Sequence, residues 1–261
     1  MSIRITMNQL HNIRDLCGMT TAEGKKIRRG KLIRSEHLAE ADEADIRRLG
    51  ALIDTAVDFR SETEHKENPD PEIEGVSNVS IPVLTGSQIG ISHEAETDRR
   101  LLAAASKEPA PVREFIAGLY DTIAADDYAA GQYGAFVRLL LEPHERAVLW
   151  HCTAGKDRAG IAAVIVGEVL GIEREQLYED YLLTNECLDI GRMAQRMNES
   201  LLSQFELTDE MMNILFGADR VYLDRFYSGI KKKYGSMEGY IRDGLKLTPA
   251  MIEQMKAIYL E

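Results

Sequence analysis

The chain has 261 residues, 44% of them hydrophobic, and a formal net charge of -12. That is enough apolar material for one sizeable core, and the negative balance argues against nucleic-acid binding, which rests on clustered lysine and arginine. Three cysteines without regular spacing exclude a disulfide framework and a structural zinc site.

The opening residues, MSIRITMNQLHNIRD, lack an apolar leader core, and no run approaches the roughly 18 residues of a membrane span. With the few cysteines, this predicts a cytoplasmic protein with no integral membrane association. Residues 12 to 38 have little helical periodicity, and Gly18, Gly24 and Gly30 punctuate them as turns between short strands. A basic cluster, Lys25-Lys26-Ile27-Arg28-Arg29-Gly30-Lys31, runs against the overall charge. It is either a solvated face or a contact for an anionic membrane surface or polyphosphorylated substrate. Residues 39 to 50 read as a helix ending at Gly50, and Ala51 to Arg60 as a buried strand running into Ser61-Glu62-Thr63-Glu64. Ligands gather at the carboxyl ends of strands in α/β sheets, and Arg60 stands at such an end. The alternative is that Arg60 and Glu64 pair only with each other. Asn68-Pro69-Asp70-Pro71 is a turn by composition, and Val76 to Leu84 a strand interrupted by Pro82, hence near an edge.

From His93 to Leu141 the pattern turns helical, over 94–106, 112–125 and 133–141, with Pro109-Ala110-Pro111 as a separator. This exceeds an ordinary crossover between strands. It reads either as a lid over about 93–141 or as packing on the sheet. Then comes Val148-Leu149-Trp150-His151-Cys152-Thr153-Ala154-Gly155-Lys156-Asp157-Arg158-Ala159-Gly160, where an apolar strand ends at Trp150 and a buried helix occupies Ile161 to Leu170. The loop between them meets a helix N-terminus, whose unpaired N–H groups and dipole favour an anion. A loop that curls back aims the Cys152 thiol and the Arg158 guanidinium at one bound group. The guanidinium fork suits two phosphate oxygens, and the same field favours a nucleophilic thiolate. Cys17 and Cys187 lack such surroundings and read as core residues. Gly171 closes the helix, another begins at Glu173, and the remainder is helical over about 188–205, 208–216, 219–234, 236–244 and 248–260, with Lys231-Lys232-Lys233 as a second basic cluster. The last helix opens with Thr248-Pro249 as N-cap and first residue. With no repeat and no linker, the sequence predicts one domain over 1–261.

His-Cys followed by five residues and Arg resembles the signature of the cysteine-dependent protein-tyrosine phosphatase superfamily. HCTAGKDRAG is most similar to its bacterial tyrosine/dual-specificity and lipid phosphatase branch, whose loop usually reads HCxAGKDRTG. The likeness extends to Asn12-Ile13-Arg14-Asp15-Leu16-Cys17-Gly18, Arg34-Ser35-Glu36-His37-Leu38, Asp58-Phe59-Arg60-Ser61 with Glu64, Tyr178 to Asn185, Lys233 to Tyr240 and Gly244 to Thr248. It implies an α/β fold of the phosphotyrosine protein phosphatase type. A central, mostly parallel sheet is flanked by helices, with a helical insertion before the catalytic strand and a helical C-terminus.

The activity that the resemblance implies is phosphomonoester hydrolysis without metal or cofactor. Cys152 attacks phosphorus, the alcohol leaves, and water hydrolyses the phosphocysteine. The backbone from Thr153 through Ala154, Gly155, Lys156 and Asp157 to Arg158 would hold phosphate-, sulfate- or vanadate-type anions. His151, Arg60 and Glu64 support the loop. Asp157 is preferred as the acid over Asp70, Asp126 and Asp127, with loop shaping as its alternative role. Lys156 would put a second cation on the rim of the site, a clue to phosphoinositide as well as phosphorylated protein substrates, unless it is tied to a carboxylate such as Glu64. Ala159 stands where the family has Thr or Ser, which raises a slow or inactive fold that binds phosphorylated ligands. A sulfurtransferase or arsenate reductase fits the mid-chain position, His151 and the loop length less well.

Overall fold

A computed structural model describes residues 2–84, 109–188 and 208–261. The helices expected at 94–106 and 188–205 fall outside these residues almost entirely, and with them the first part of the expected lid. Strand β1 (Ile3–Arg4) precedes β2 (Arg14–Asp15) and β3 (Leu32–Ser35). Helix α1 (Glu43–Leu52), β4 (Ile53–Asp58), α2 (Glu62–Glu67) and β5 (Ser77–Ser80) follow. After α3 (Pro109–Ala125) and α4 (Asp127–Leu139), β6 (Ala147–His151) leads into α5 (Asp157–Leu170). The chain continues through α6 (Arg174–Cys187), α7 (Asp209–Phe216), α8 (Arg220–Tyr234) and α9 (Pro249–Tyr259).

The six strands lie in the order β1-β2-β3-β6-β4-β5. The pairs β3/β6, β6/β4 and β4/β5 are parallel, and β1/β2 and β2/β3 antiparallel. The sheet is therefore mostly parallel and flanked by helices, with β5 at an edge, as Pro82 led us to expect. Strand β6 is buried on both faces because the side-chain period of two sends Val148 and Trp150 into one apolar cluster and Ala147 and Leu149 into the other. The larger cluster takes α3, α4, α5 and α8, and the smaller takes Leu49 of α1.

Several boundaries differ from expectation, among them the helix expected at 133–141, which is Asp127–Leu139, and two have a local cause. Helix α1 starts under an Asp42 cap and runs through Gly50 to Leu52, because a Cβ on Gly50 would already be close to Ile73, at 3.3 Å, and the glycine serves packing rather than termination. Helix α3 starts at Pro109. Prolines in a first turn need no hydrogen bond there and open the helix, where the sequence suggested a separator. Among the described residues no helix is long and apolar enough to cross a membrane.

Candidate active site

Parallel pairing of β3, β6 and β4 brings the ends of three strands together, and the loop from Cys152 to Arg158 rises from the central one. Cys152, Ala154, Lys156, Asp157 and Arg158 are all buried. Gly155 has φ +69°, and a Cβ there would lie 2.5 Å from the Ser35 carbonyl oxygen, so both conformation and space demand glycine. The loop carbonyls are tied down from behind. Asn12 Nδ2 donates to Ala154 O at 2.8 Å, Arg34 Nη2 to Gly155 O at 2.6 Å and to Lys156 O at 3.2 Å, and the His37 amide to Thr153 O at 3.2 Å. With its carbonyls fixed in this way, the loop offers its N–H groups at the start of α5, which have no intrahelical acceptor.

The arginines that hold the loop are themselves held by Asp180 of α6. Arg34 Nη1 reaches Oδ2 at 2.6 Å and Arg14 Nε reaches Oδ1 at 2.8 Å, all three side chains buried. Burial pulls the Arg34 guanidinium down to about 10, with neighbouring Arg14 acting in the same sense. For Asp180, burial would push the carboxyl up, but Arg14 and Arg34 outweigh it and hold the group well below the usual carboxylate range.

Arg158 is bound in fork fashion by Glu64, Nη1 to Oε2 at 2.6 Å and Nη2 to Oε1 at 2.7 Å. Thr153 Oγ1 donates to the same carboxylate at 2.6 Å. Glu64 is presented by the start of α2, where Ser61 and Glu64 form a capping box. Burial alone would lower the Arg158 guanidinium, yet the Glu64 carboxylate outweighs it and raises the group. Its Nε is buried and has no hydrogen-bond partner among the described residues.

Arg60 does not pair with Glu64. Its guanidinium binds Asp58 at 2.9 Å and Asp70 at 2.6 Å, because the Asn68 to Pro71 turn folds Asp70 back over the strand end. Asp70 also accepts from the Leu38 amide at 2.8 Å and lies 3.3 Å from His151 Nε2. His151 is thus wedged between Asp70 and Asp58, where those carboxylates raise it against the downward pull of burial. Asp58, Asp70 and His151 lie close enough together for a metal, but both carboxylates already pair with the Arg60 cation and with His151, so the set fits an ion-pair network better than a metal site.

Asp157, first residue of α5, is buried with Oδ1 accepting from the Tyr120 hydroxyl of α3. Asp126 instead caps α4, and Asp127 pairs with Lys233 at the surface, so neither reaches the loop. Lys156 departs from its expected place on the rim. It is buried, its Nζ donates to the carbonyls of Gly217 at 3.2 Å and Leu215 at 3.3 Å, and Asp157 lies 3.5 Å away. Its tie is to the end of α7 rather than to Glu64. Ala159 is fully buried and its carbonyl accepts from Trp150 Nε1 at 3.0 Å. The thiols of Cys17 and Cys187 are pushed up chiefly by burial, the first to about 11, as suits core residues. Tyr120, Tyr133 and Tyr181 escaped the sequence reading, since a tyrosine within a helical pattern gives no sign of where its hydroxyl goes. Tyr133 donates to Arg158 O at 3.1 Å.

Residues 5–261 match a tyrosine phosphatase family model. A protein of Cupriavidus necator provisionally named a tyrosine-protein phosphatase is 31% identical over 268 residues, covering 98% of this chain and 88% of that protein. The triple specificity protein phosphatase PtpB of Mycobacterium tuberculosis is 29% identical, with 95% and 96% covered. A tyrosine-protein phosphatase of Nostoc commune is 20% identical, with 84% and 69% covered.

Proposed function

The chain belongs to the tyrosine phosphatase family and is an enzyme of that class, a phosphoric monoester hydrolase, and from that premise we propose that it dephosphorylates phosphotyrosine proteins through a phosphocysteine at Cys152. The observation that carries this reading is the Arg158 guanidinium. Glu64 fixes its two terminal nitrogens, which leaves Nε, buried and without a partner among the described residues, on the same loop as a buried thiol. A phosphoryl oxygen satisfies that donor, and the loop amides take the others, so charge developing in transfer meets dipoles already oriented.

In this mechanism the Cys152 sulfur forms a bond to phosphorus as the alcohol oxygen leaves, and Asp157 gives that oxygen its proton. Water then attacks phosphorus, Asp157 takes back a proton, and the thiolate and inorganic phosphate are released. His151, held between Asp58 and Asp70, fixes the strand end that leads into the nucleophile. The name of the mycobacterial relative, a triple specificity phosphatase, supports a range wider than phosphotyrosine. Phosphoserine and phosphothreonine peptides and soluble phosphoinositides are the substrates to set beside it.

The test combines alkylation with leaving-group dependence. Iodoacetate should inactivate the protein at mildly acidic pH, with vanadate protecting, and Cys152→Ser should lose turnover while still binding vanadate. Asp157→Asn should slow phosphotyrosine roughly 100-fold or more but activated aryl phosphates little, since only the former need the proton. Turnover in Cys152→Ser would sink the nucleophile, and equal losses on both substrates would sink the acid.

A further inference from the structure

The helical segment before the catalytic strand and the helix after α5 converge on one carboxyl group. Tyr120 of α3 donates to Asp157 Oδ1, and the Tyr181 hydroxyl of α6 lies 2.7 Å from that of Tyr120. Neither ring can swing away. Tyr120 is stacked on Tyr222 of α8 with centroids 5.4 Å apart, and Tyr181 sits so close to Gly160 that a Cβ there would be 3.0 Å from its ring. Burial, and then the nearby Asp157 charge, push both phenols well above their ordinary range. Both remain neutral hydroxyls at any working pH.

A hydroxyl has one proton to give. Since Tyr120 gives its proton to Asp157, its bond with Tyr181 must run the other way, from Tyr181 to Tyr120. The chain of donors therefore has one direction, Tyr181 to Tyr120 to Asp157 Oδ1. The Lys156 ammonium, 3.5 Å away, approaches the same oxygen. A carboxyl oxygen that accepts a hydroxyl proton and faces an ammonium is the less favourable of the two to carry a proton of its own.

We propose that Tyr120, backed by Tyr181, positions Asp157 for leaving-group protonation by holding Oδ1 as an acceptor, so that the catalytic proton resides on Oδ2. The inference rests on the reading of Asp157 as the acid. Tyr120 and Tyr181 are positioning residues. Tyr120 touches Asp157, and Tyr181 reaches it only through Tyr120. Without the Tyr120 hydroxyl the carboxyl group can rotate, and the proton spends part of its time on the oxygen turned inward.

Steady-state kinetics on phenyl phosphate and on a nitro-activated aryl phosphate test this in wild type, Tyr120→Phe, Asp157→Asn and the double variant. Tyr120→Phe should lower kcat on phenyl phosphate about tenfold, a part of the 10²–10⁴-fold that general acid catalysis supplies. It should change the activated substrate and vanadate inhibition by less than about twofold, because neither calls on the proton. In the Asp157→Asn background it should add no further selectivity, since the two residues act as one unit. Selective loss in Asp157→Asn with uniform loss in Tyr120→Phe would overturn the positioning role and leave the acid standing. Uniform loss in Asp157→Asn would remove the acid, and the positioning role with it. If Tyr120→Phe does not fold, Tyr181→Phe carries the same readout through the outer donor, with a selective loss of about threefold expected. A uniform loss or none in that variant would overturn the proposal.

Discussion

At the scale of single residues, Arg158 depends on one carboxylate. Glu64 accepts from both terminal nitrogens of the buried guanidinium and from Thr153 as well. Glu64→Gln keeps the shape but replaces one acceptor with an NH2 group that faces another donor. Breaking a buried pair from one side costs about 3–5 kcal/mol, because the remaining charge is left uncompensated. An anion in the loop restores part of that compensation. Melting curves of Glu64→Gln should therefore show a lower midpoint than wild type and a larger rise on adding phosphate. An equal rise in both proteins would mean that Glu64 only closes the capping box. The helix that this box opens was not read from the sequence, because Glu62 to Glu67 carries no apolar face, and neither was the partner of Arg60. Arg60 chose Asp70 over Glu64 because a proline-bounded turn folds back, and the direction in which a turn folds is a tertiary property.

At the scale of elements, the ends of β4 and β6 and the turn after α2 are joined by the charges of Asp58, Arg60, Asp70 and His151. Burial alone would lower His151, but Asp70 and Asp58 outweigh it and place the ring above its ordinary 6.5. A base raised by folding contributes stability that is complete below its unfolded value and fades as pH rises through the folded one. Asp70 has the opposite sign. Burial would raise it, His151 and Arg60 hold it down, and its contribution is present above the ordinary carboxylate value and lost as pH falls through the depressed one. Thermal midpoints should thus form a plateau bounded by decline in acid and by a decline that begins near pH 6.5. His151→Gln should start lower and lack the upper decline. If that decline persists unchanged in the variant, His151 is not the group responsible. The strands β4 and β6 were legible here because their apolar runs are local, while α2, polar throughout, was not. Helix starts at Pro109 and Asp127 were less legible than the strands, because a proline marks either a break or a first turn, and only the packing that follows decides which.

At the scale of the whole molecule, the placement of cations bears on which phosphates the site accepts. The sequence offered two sources of charge for a polyphosphorylated substrate, the cluster at Lys25 to Lys31 and Lys156. Lys31 immediately precedes β3, and its Nζ reaches the carbonyls of His144 and Glu145 just before β6. Both contacts mark the amino ends of β3 and β6, and the loop rises from the carboxyl end of β6. The four residues of β3 separate them by about 13 Å, more than a Debye length of about 8 Å at physiological salt. Lys156 is nearer but faces inward, its ammonium spent on the carbonyls of Leu215 and Gly217 and on Asp157. Its removal leaves those carbonyls without their donor, a loss of about 1–3 kcal/mol in stability, and frees the loop from α7 without removing a charge that a second phosphate could reach. Lys156→Ala should therefore reduce turnover of phosphotyrosine peptides and of soluble short-chain phosphoinositides by the same factor. Lys25→Glu with Lys26→Glu should change neither. A loss confined to the phosphoinositide in Lys156→Ala would mean that the ammonium leaves α7 for the substrate, and a loss in the charge-reversed pair would mean that the far end of the sheet takes part in binding.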